Sequence, residues 1–327
     1  MADGNINNLI EVRNLKVYFP VRGALFSRRR LYVRAVDGVS FEIKKGEVFG
    51  LAGESGSGKT TIGRAVLRVV PITDGKVVFE GKDLINMPEK ELRKIRPRMQ
   101  MIFQDPYSSL NPKMTVYDIV AEPLRVHGYA DIDTKVESIL KDCGLNVEEF
   151  GFRFPHELSG GQRQRVAIAR ALVLEPDFVV ADEPTSMLDV SVRAGILELL
   201  LSFRERRGVT YLFITHDLAL ARYVTDRLAV MYLGKFMEAG STESIISNPM
   251  HPYTQSLISS FPEPNPEFRK EKRIILKGEI PSPINIPSGC RFHPRCPYAK
   301  DICREKEPEL VEISSGHLVA CHMVARR

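Results

Sequence analysis

The chain has 327 residues, with 46 Lys and Arg against 41 Asp and Glu, a formal charge of +5. Hydrophobic residues make up 43% and charged residues 27%, which excludes a mostly disordered chain, a collagen-like repeat and a disulfide miniprotein. No run approaches the roughly 18 consecutive apolar residues of a membrane span, and the start MADGNINNLIEVRN has no basic flank with an apolar stretch, so no secretory signal is expected.

In chain order, residues 15–19 and 41–43 alternate as half-exposed strands, the second running into the turn Lys44-Lys45-Gly46-Glu47. Residues 48–52 form an apolar strand, with a helix at 60–69 and a further half-exposed strand at 77–79. Helical patterns dominate from 88 to about 154, among them 89–96 and 134–143, the latter stopped by Gly144. Apolar strands recur at 101–103, 178–181, 211–215 and 228–232, with a helix at 166–174. Short apolar runs separated by helices predict an α/β fold with a mostly parallel sheet and a helical insertion. Composition shifts near Ser247. Of 21 prolines, 11 lie between Pro249 and Pro308, and four of five cysteines fall in the last 38 residues. The proline-rich run at 261–267 holds neither regular helix nor inner strand. The expected division is a core over 1–247, with a helical subdomain at about 88–163, and a small irregular extension over 248–327.

The strand at 48–52 leads into Gly53, Glu54, Ser55, Gly56, Ser57, Gly58, Lys59, Thr60 and Thr61. This is G-x-x-x-x-G-K-[ST] placed after a strand and before a helix, the context of a phosphate loop. Glycines let backbone N–H groups approach phosphates, and the new helix points its positive end at them. Lys59 adds a point charge at the β/γ oxygens, and the Thr60 hydroxyl can ligate Mg²⁺. Downstream, the strand at 178–181 ends in Asp182 and Glu183. Asp182 is expected to hold Mg²⁺, directly or through water, and Glu183 to polarise the attacking water. Leu158-Ser159-Gly160-Gly161-Gln162 places two glycines after a serine at a helix start, a second anion-binding nest. One nucleotide does not need two nests, so the second makes sense if it faces a nucleotide held by another subunit.

With that run the chain resembles the ATP-binding subunits of ABC transporters, whose signature is LSGGQ, over most of its length. The resemblance implies a P-loop NTPase core of the ABC ATPase type that couples ATP hydrolysis to transport. It implies that Gln104 is the Q-loop glutamine, which contacts Mg²⁺ and the attacking water and links the site to membrane subunits. Ser186-Met187-Leu188-Asp189 resembles the D-loop, with Met187 where alanine is usual. His216 matches the switch histidine that contacts the γ-phosphate. Glu183, His216 and Gln104 are thus the expected catalytic residues. ATP is expected on residues 53–61, with Asp182 and Asp189, and closed over by Ser159, Gly160, Gly161 and Gln162 of the opposite subunit. Tyr32 is the expected adenine-stacking aromatic, with Phe26 as its rival. Arg28, Arg29 and Arg30 read as a solvated loop, with membrane headgroup contact the lesser reading.

His251-Pro252-Tyr253-Thr254, with the segments that follow Gly278, Pro287 and Gly316, resembles the C-terminal extension of peptide-type (dipeptide and oligopeptide) importers. That branch implies a heterodimer with a paralogous ATPase, two transmembrane permeases, an indirect solute-binding protein and a place on the cytoplasmic face of the membrane, with no nucleic-acid partner. Cys290, Cys296, Cys303 and Cys321 are spaced by 5, 6 and 17 residues, unlike the C-x2-C pairs of most zinc ribbons. Spacing leaves open an iron–sulfur cluster, zinc, and free or disulfide-bonded thiols, with His293, His317 and His322 as substitute ligands. The resemblance implies a [4Fe–4S] cluster, which would tie a proline-rich lobe with little core of its own. Cys143 reads as an ordinary half-buried residue. The alternatives are a soluble ABC ATPase of DNA repair or translation, and an exporter ATPase. The chain has neither a second ATPase unit nor a long coiled-coil insertion, and its tail argues for import.

Overall fold

Val48–Ala52 is buried at every position, so it needs cover on both faces and strands beside it. In the computed structural model it runs parallel to Arg227–Tyr232, with Phe49 opposite Arg227 and Ala52 opposite Val230. Lys235–Ser241 returns antiparallel along Arg227–Tyr232. Two strands of the extension continue the same sheet, giving the order Val311–Ser314, His317–Val319, Lys235–Ser241, Arg227–Tyr232, Val48–Ala52. A second sheet has the order Tyr32–Lys44, Asn8–Pro20, Asp74–Phe79, Lys82–Asp83, with Ile10 opposite Phe79. The structure describes residues 8–21, 31–260, 276 and 278–324. Phe26, Arg28, Arg29, Arg30 and the run at 261–267 lie outside the described residues.

The described residues fall into two compact units. The sheets above belong to the unit of Ile10–Ile43, Val48–Ile85 and the chain from Ile214 onward. The other unit comprises Lys44–Glu47 and Asn86–Phe213 with Asn8 and Leu9. There Met99–Ile102 runs parallel to Phe178–Asp182, Met99 opposite Phe178. Three helices, Val116–Val126, Ile132–Asp142 and Gly160–Leu172, pack on one another. Val116–Val126 starts where the Thr115 side chain accepts from the Asp118 amide, and it buries Val116, Ile119, Val120 and Leu124 along one stripe. Ile132–Asp142 answers with Val136, Ile139 and Leu140. Cys143, at the end of that helix, is fully buried rather than half-buried. Burial pushes its thiol up to about 12, and Arg165 donates to its carbonyl at 2.7 Å. Among the described residues no helix is long and apolar enough to cross a membrane.

The extension has a core, because it shares that of the sheet. Tyr253, Cys290, Phe292 and Cys303 pack with Leu228, Val230, Tyr232 and Met237 in one buried cluster. The Phe292 ring stands edge-on to Tyr232, centroids 5.4 Å apart, and 5.3 Å from Tyr253. His251, fully enclosed, caps the helix Pro252–Ser259, its Nδ1 accepting from the Tyr253 amide at 3.0 Å. Glu238, completely buried, accepts from the Met250 and His251 amides at 2.8 and 3.0 Å and meets His317 Nε2 at 2.7 Å. The H-P-Y-T run is therefore a polar latch and helix start.

This arrangement corrects the expected [4Fe–4S] cluster and its zinc alternative. Among the described residues no group of three or more His, Cys, Asp or Glu side chains is placed to hold a metal ion. Cys290, Cys296, Cys303 and Cys321 are free thiols. Cys290 and Cys303 fill the apolar cluster, and Cys296 packs against it. Burial pushes Cys290 up to about 12 and raises Cys296 and Cys321, which disfavours the thiolate that ligation requires.

His251 yields a testable pH dependence. Burial lowers its pKa to about 3, so the folded chain keeps it neutral while the unfolded chain protonates it near 6.5. Its contribution is full above about pH 6.5 and is lost as the pH falls toward 3, costing about 2 kcal/mol by pH 5. His251→Asn keeps a capping acceptor without the titration. In urea unfolding, the stability difference between wild type and variant is expected to shift by about that amount between pH 7 and pH 5. A difference that stays constant would contradict the buried neutral ring.

Candidate functional site

The phosphate loop is shaped by backbone approaches too close for a side chain. A Cβ on Gly58 would lie 2.1 Å from the Ala35 carbonyl oxygen, and one on Gly53 would lie 2.2 Å from that of Met231. Both have positive φ, +109° and +146°. A Cβ on Gly56 would meet nothing within 4 Å. The loop is thus seated at both ends and open in the middle, where Ser55 and Gly56 are exposed. Gly58 precedes the helix Lys59–Val66, whose start has no side-chain cap and no acidic residue in its first turn. Its leading amides and positive end are arranged for an anion. Lys59 Nζ donates to Gly53 O at 2.7 Å and Glu54 O at 2.9 Å, bracing the loop from inside. Thr60 and Thr61 are half-buried at the helix start. In the same unit Tyr32 opens its strand with 38% of its surface exposed. His216, also exposed, follows Thr210–Thr215. It is placed by the next residue, Asp217, whose carboxylate accepts from the Ala219 and Leu220 amides at the start of Leu218–Val224.

The carboxylates lie in the other unit. Asp182 is the buried last residue of Phe178–Asp182. Glu183 follows in the left-handed region, φ +45°, a conformation rare outside glycine and common at functional sites. The turn is held by Ser186, whose amide and hydroxyl both donate to Glu183 O at 3.1 Å. Gln104 Nε2 donates to Glu183 Oε2 at 2.9 Å, so two residues 79 apart in sequence meet. Ser159 caps Gly160–Leu172 in a reciprocal box: its Oγ accepts from the Gln162 amide, and Gln162 Oε1 accepts from the Ser159 amide. A Cβ on Gly160 would come 3.6 Å from Leu188, so the signature helix starts beside the D-loop. Asp189 caps Val190–Arg207 without a side-chain hydrogen bond and is exposed, as are Met187 and Val190.

Three features were not foreseen. The carboxylate of Glu54, a residue expected among the nucleotide contacts, is gripped by Arg295, Nη1 to Oε2 at 2.6 Å and Nη2 to Oε1 at 3.1 Å. The Tyr253 hydroxyl accepts from the Glu54 amide at 2.8 Å, and burial raises its pKa, so it stays protonated. These partners are 241 and 199 residues away, beyond the reach of any local pattern. In the other unit Arg163 is buried beneath the signature run, its Nε donating to Pro155 O at 2.6 Å and its guanidinium 3.8 Å from the centre of the Tyr107 ring.

Residues 36–186 match the ABC transporter family, and residues 237–303 match the oligopeptide/dipeptide transporter C-terminal region. The oligopeptide transport ATP-binding protein AppF of Bacillus subtilis (strain 168) is 49% identical over 99% of this chain and 99% of its own length. The chain belongs to the ABC transporter family. Solved structures of ABC cassettes agree. The ATP-binding cassette MJ0796, a dimer in a post-hydrolysis state with ADP and Pi, is 30% identical with a TM-score of 0.63 over 71% of this chain and 98% of that one. The cbiO1 protein of Clostridium perfringens, part of the ABC transporter complex cbiONQ, is 28% identical with a TM-score of 0.63 over 74% and 92%. For an ABC transporter subunit with this C-terminal region, the DNA-repair, translation and exporter alternatives fall away.

Because Gly58 is seated against Ala35 and Gly56 is not seated at all, alanine at the two positions should behave differently. Gly58→Ala is expected to weaken Mg·ATP binding by about 100-fold or more, and Gly56→Ala by less than about 10-fold, its positive φ costing about 1 kcal/mol. Isothermal titration of the full chain checks this. Equal losses at both positions would contradict the seating.

Proposed function

We propose that the chain is the energy-coupling ATPase of a peptide-type ABC importer. It binds ATP on the loop Gly53–Thr61, hydrolyses it, and passes the resulting closure and opening to membrane permeases. The observation that carries the hydrolytic role is the Gln104–Glu183 hydrogen bond at the end of a buried strand, which aims a carboxylate. Glu183 takes the role of orienting water for attack on the γ-phosphate, and Gln104 holds Glu183 in place. His216 contacts the γ-phosphate, and Tyr32 stacks on the adenine. Mg²⁺, bound together with ATP, would supply positive charge that offsets the charge of the phosphates. The Thr60 hydroxyl, Asp182 and Gln104 would hold it.

Ser159, Gly160, Gly161 and Gln162 close over the nucleotide of an opposing ATPase, and Asp189 lines that junction. The exposure of Ser159 and the dimeric state of the MJ0796 cassette support this reading. The partner ATPase is a paralogue, giving a heterodimer under two permeases on the cytoplasmic face of the membrane, with a solute-binding protein acting from the far side. Oligopeptide transport by AppF supports peptides as the cargo class. In function, residues 1–247 bind and hydrolyse the nucleotide, and residues 248–327 form the branch-specific extension.

Glu183→Gln keeps the shape of the side chain and removes its charge. In the assembled complex it is expected to retain ATP binding and lose turnover by about 100-fold or more. Lys59→Ala is expected to lose binding itself. Normal turnover by the Glu183→Gln complex would sink the assignment.

A further inference from the structure

Glu54 presents an electrostatic problem. It is the second residue of a loop built to receive a polyanion, yet it carries a carboxylate. The extension answers it from two separate places. Arg295 engages both carboxylate oxygens in a forked pair, the two side chains only 10% and 23% exposed. The Tyr253 hydroxyl receives the Glu54 amide. Both groups are firmly based. The amides of Arg295 and Cys296 donate to Phe292 O at 3.0 Å, and Phe292 is completely buried in the shared core. The Arg295 guanidinium lies 5.8 Å from the centre of the Tyr232 ring.

We propose that Arg295 is a positioning residue for the nucleotide site: it neutralises Glu54 and holds that carboxylate away from the phosphates, so the loop takes ATP well only while the extension is docked. The proposal rests on Gly53–Thr61 being the ATP loop. Removing Arg295 leaves an uncompensated negative charge in the loop, which opposes the triphosphate. The effect runs both ways, since a bound nucleotide that favours the neutralised loop favours the docked extension by the same factor.

The test is Mg·ATP titration of the full chain, in wild type and three variants. Arg295→Ala is expected to raise Kd about 10-fold or more, within the usual range of such couplings. Arg295→Gln, which keeps hydrogen-bond donors without the charge and disturbs packing less, is expected to do the same. Adding Glu54→Gln to Arg295→Ala is expected to bring Kd back to within about 3-fold of wild type, because the offending charge is gone. High salt is expected to narrow the gap between Arg295→Ala and wild type. Unchanged affinity in both Arg295 variants would overturn the proposal. So would a double variant as weak as Arg295→Ala, because loss of mere structural support is not repaired by neutralising Glu54. Failure of wild type itself to bind Mg·ATP would contradict the reading of the loop, and is thereby distinguished from failure of the positioning role.

Discussion

The structure depends on one close approach, a strand and a helix joined through backbone that admits no side chain. Gly58 sits against the Ala35 carbonyl and Gly53 against that of Met231. Only glycine fits, and that fit seats the start of Lys59–Val66, which has no side-chain cap, as an end suited to an anion. Lys59 reaches back to two loop carbonyls and holds the curve. The strand Val48–Ala52, buried throughout, fixes where the loop begins.

The extension is bound up with this constraint. Its strands continue the sheet that contains Val48–Ala52, and its aromatic residues fill the core beneath Tyr232. Glu238 is a buried carboxylate made tolerable by two amides and a histidine, so the turn at Met250 and His251 has one permitted position. From there the chain delivers Tyr253 to the Glu54 amide. Apolar packing and backbone hydrogen bonds do the work that a metal tie was expected to do.

Much of this was legible in the sequence. Every strand named from apolar runs is present, with Val48–Ala52 at its expected bounds and Phe178–Asp182 one residue longer. The loop, the carboxylates and the signature carry short-range patterns, so their positions could be read directly. What could not be read involves distant partners. His317–Val319 is a short strand whose existence depends on pairing with Lys235–Ser241, and Val311–Ser314 in turn pairs with His317–Val319. The surroundings of the four cysteines are equally invisible to spacing, which cannot report that Cys290 and Cys303 lie among Phe292 and Tyr253. Arg295 carried no local signal at all, and nothing near Glu54 in the sequence pointed to it as a partner.

Amide hydrogen exchange of the full chain, with and without Mg·ATP, tests the central claim most directly. If the loop seated by Gly53 and Gly58 cradles the triphosphate through its backbone, saturating nucleotide slows exchange most strongly across residues 53–61. Exchange across those residues that is unchanged by saturating nucleotide would contradict the account.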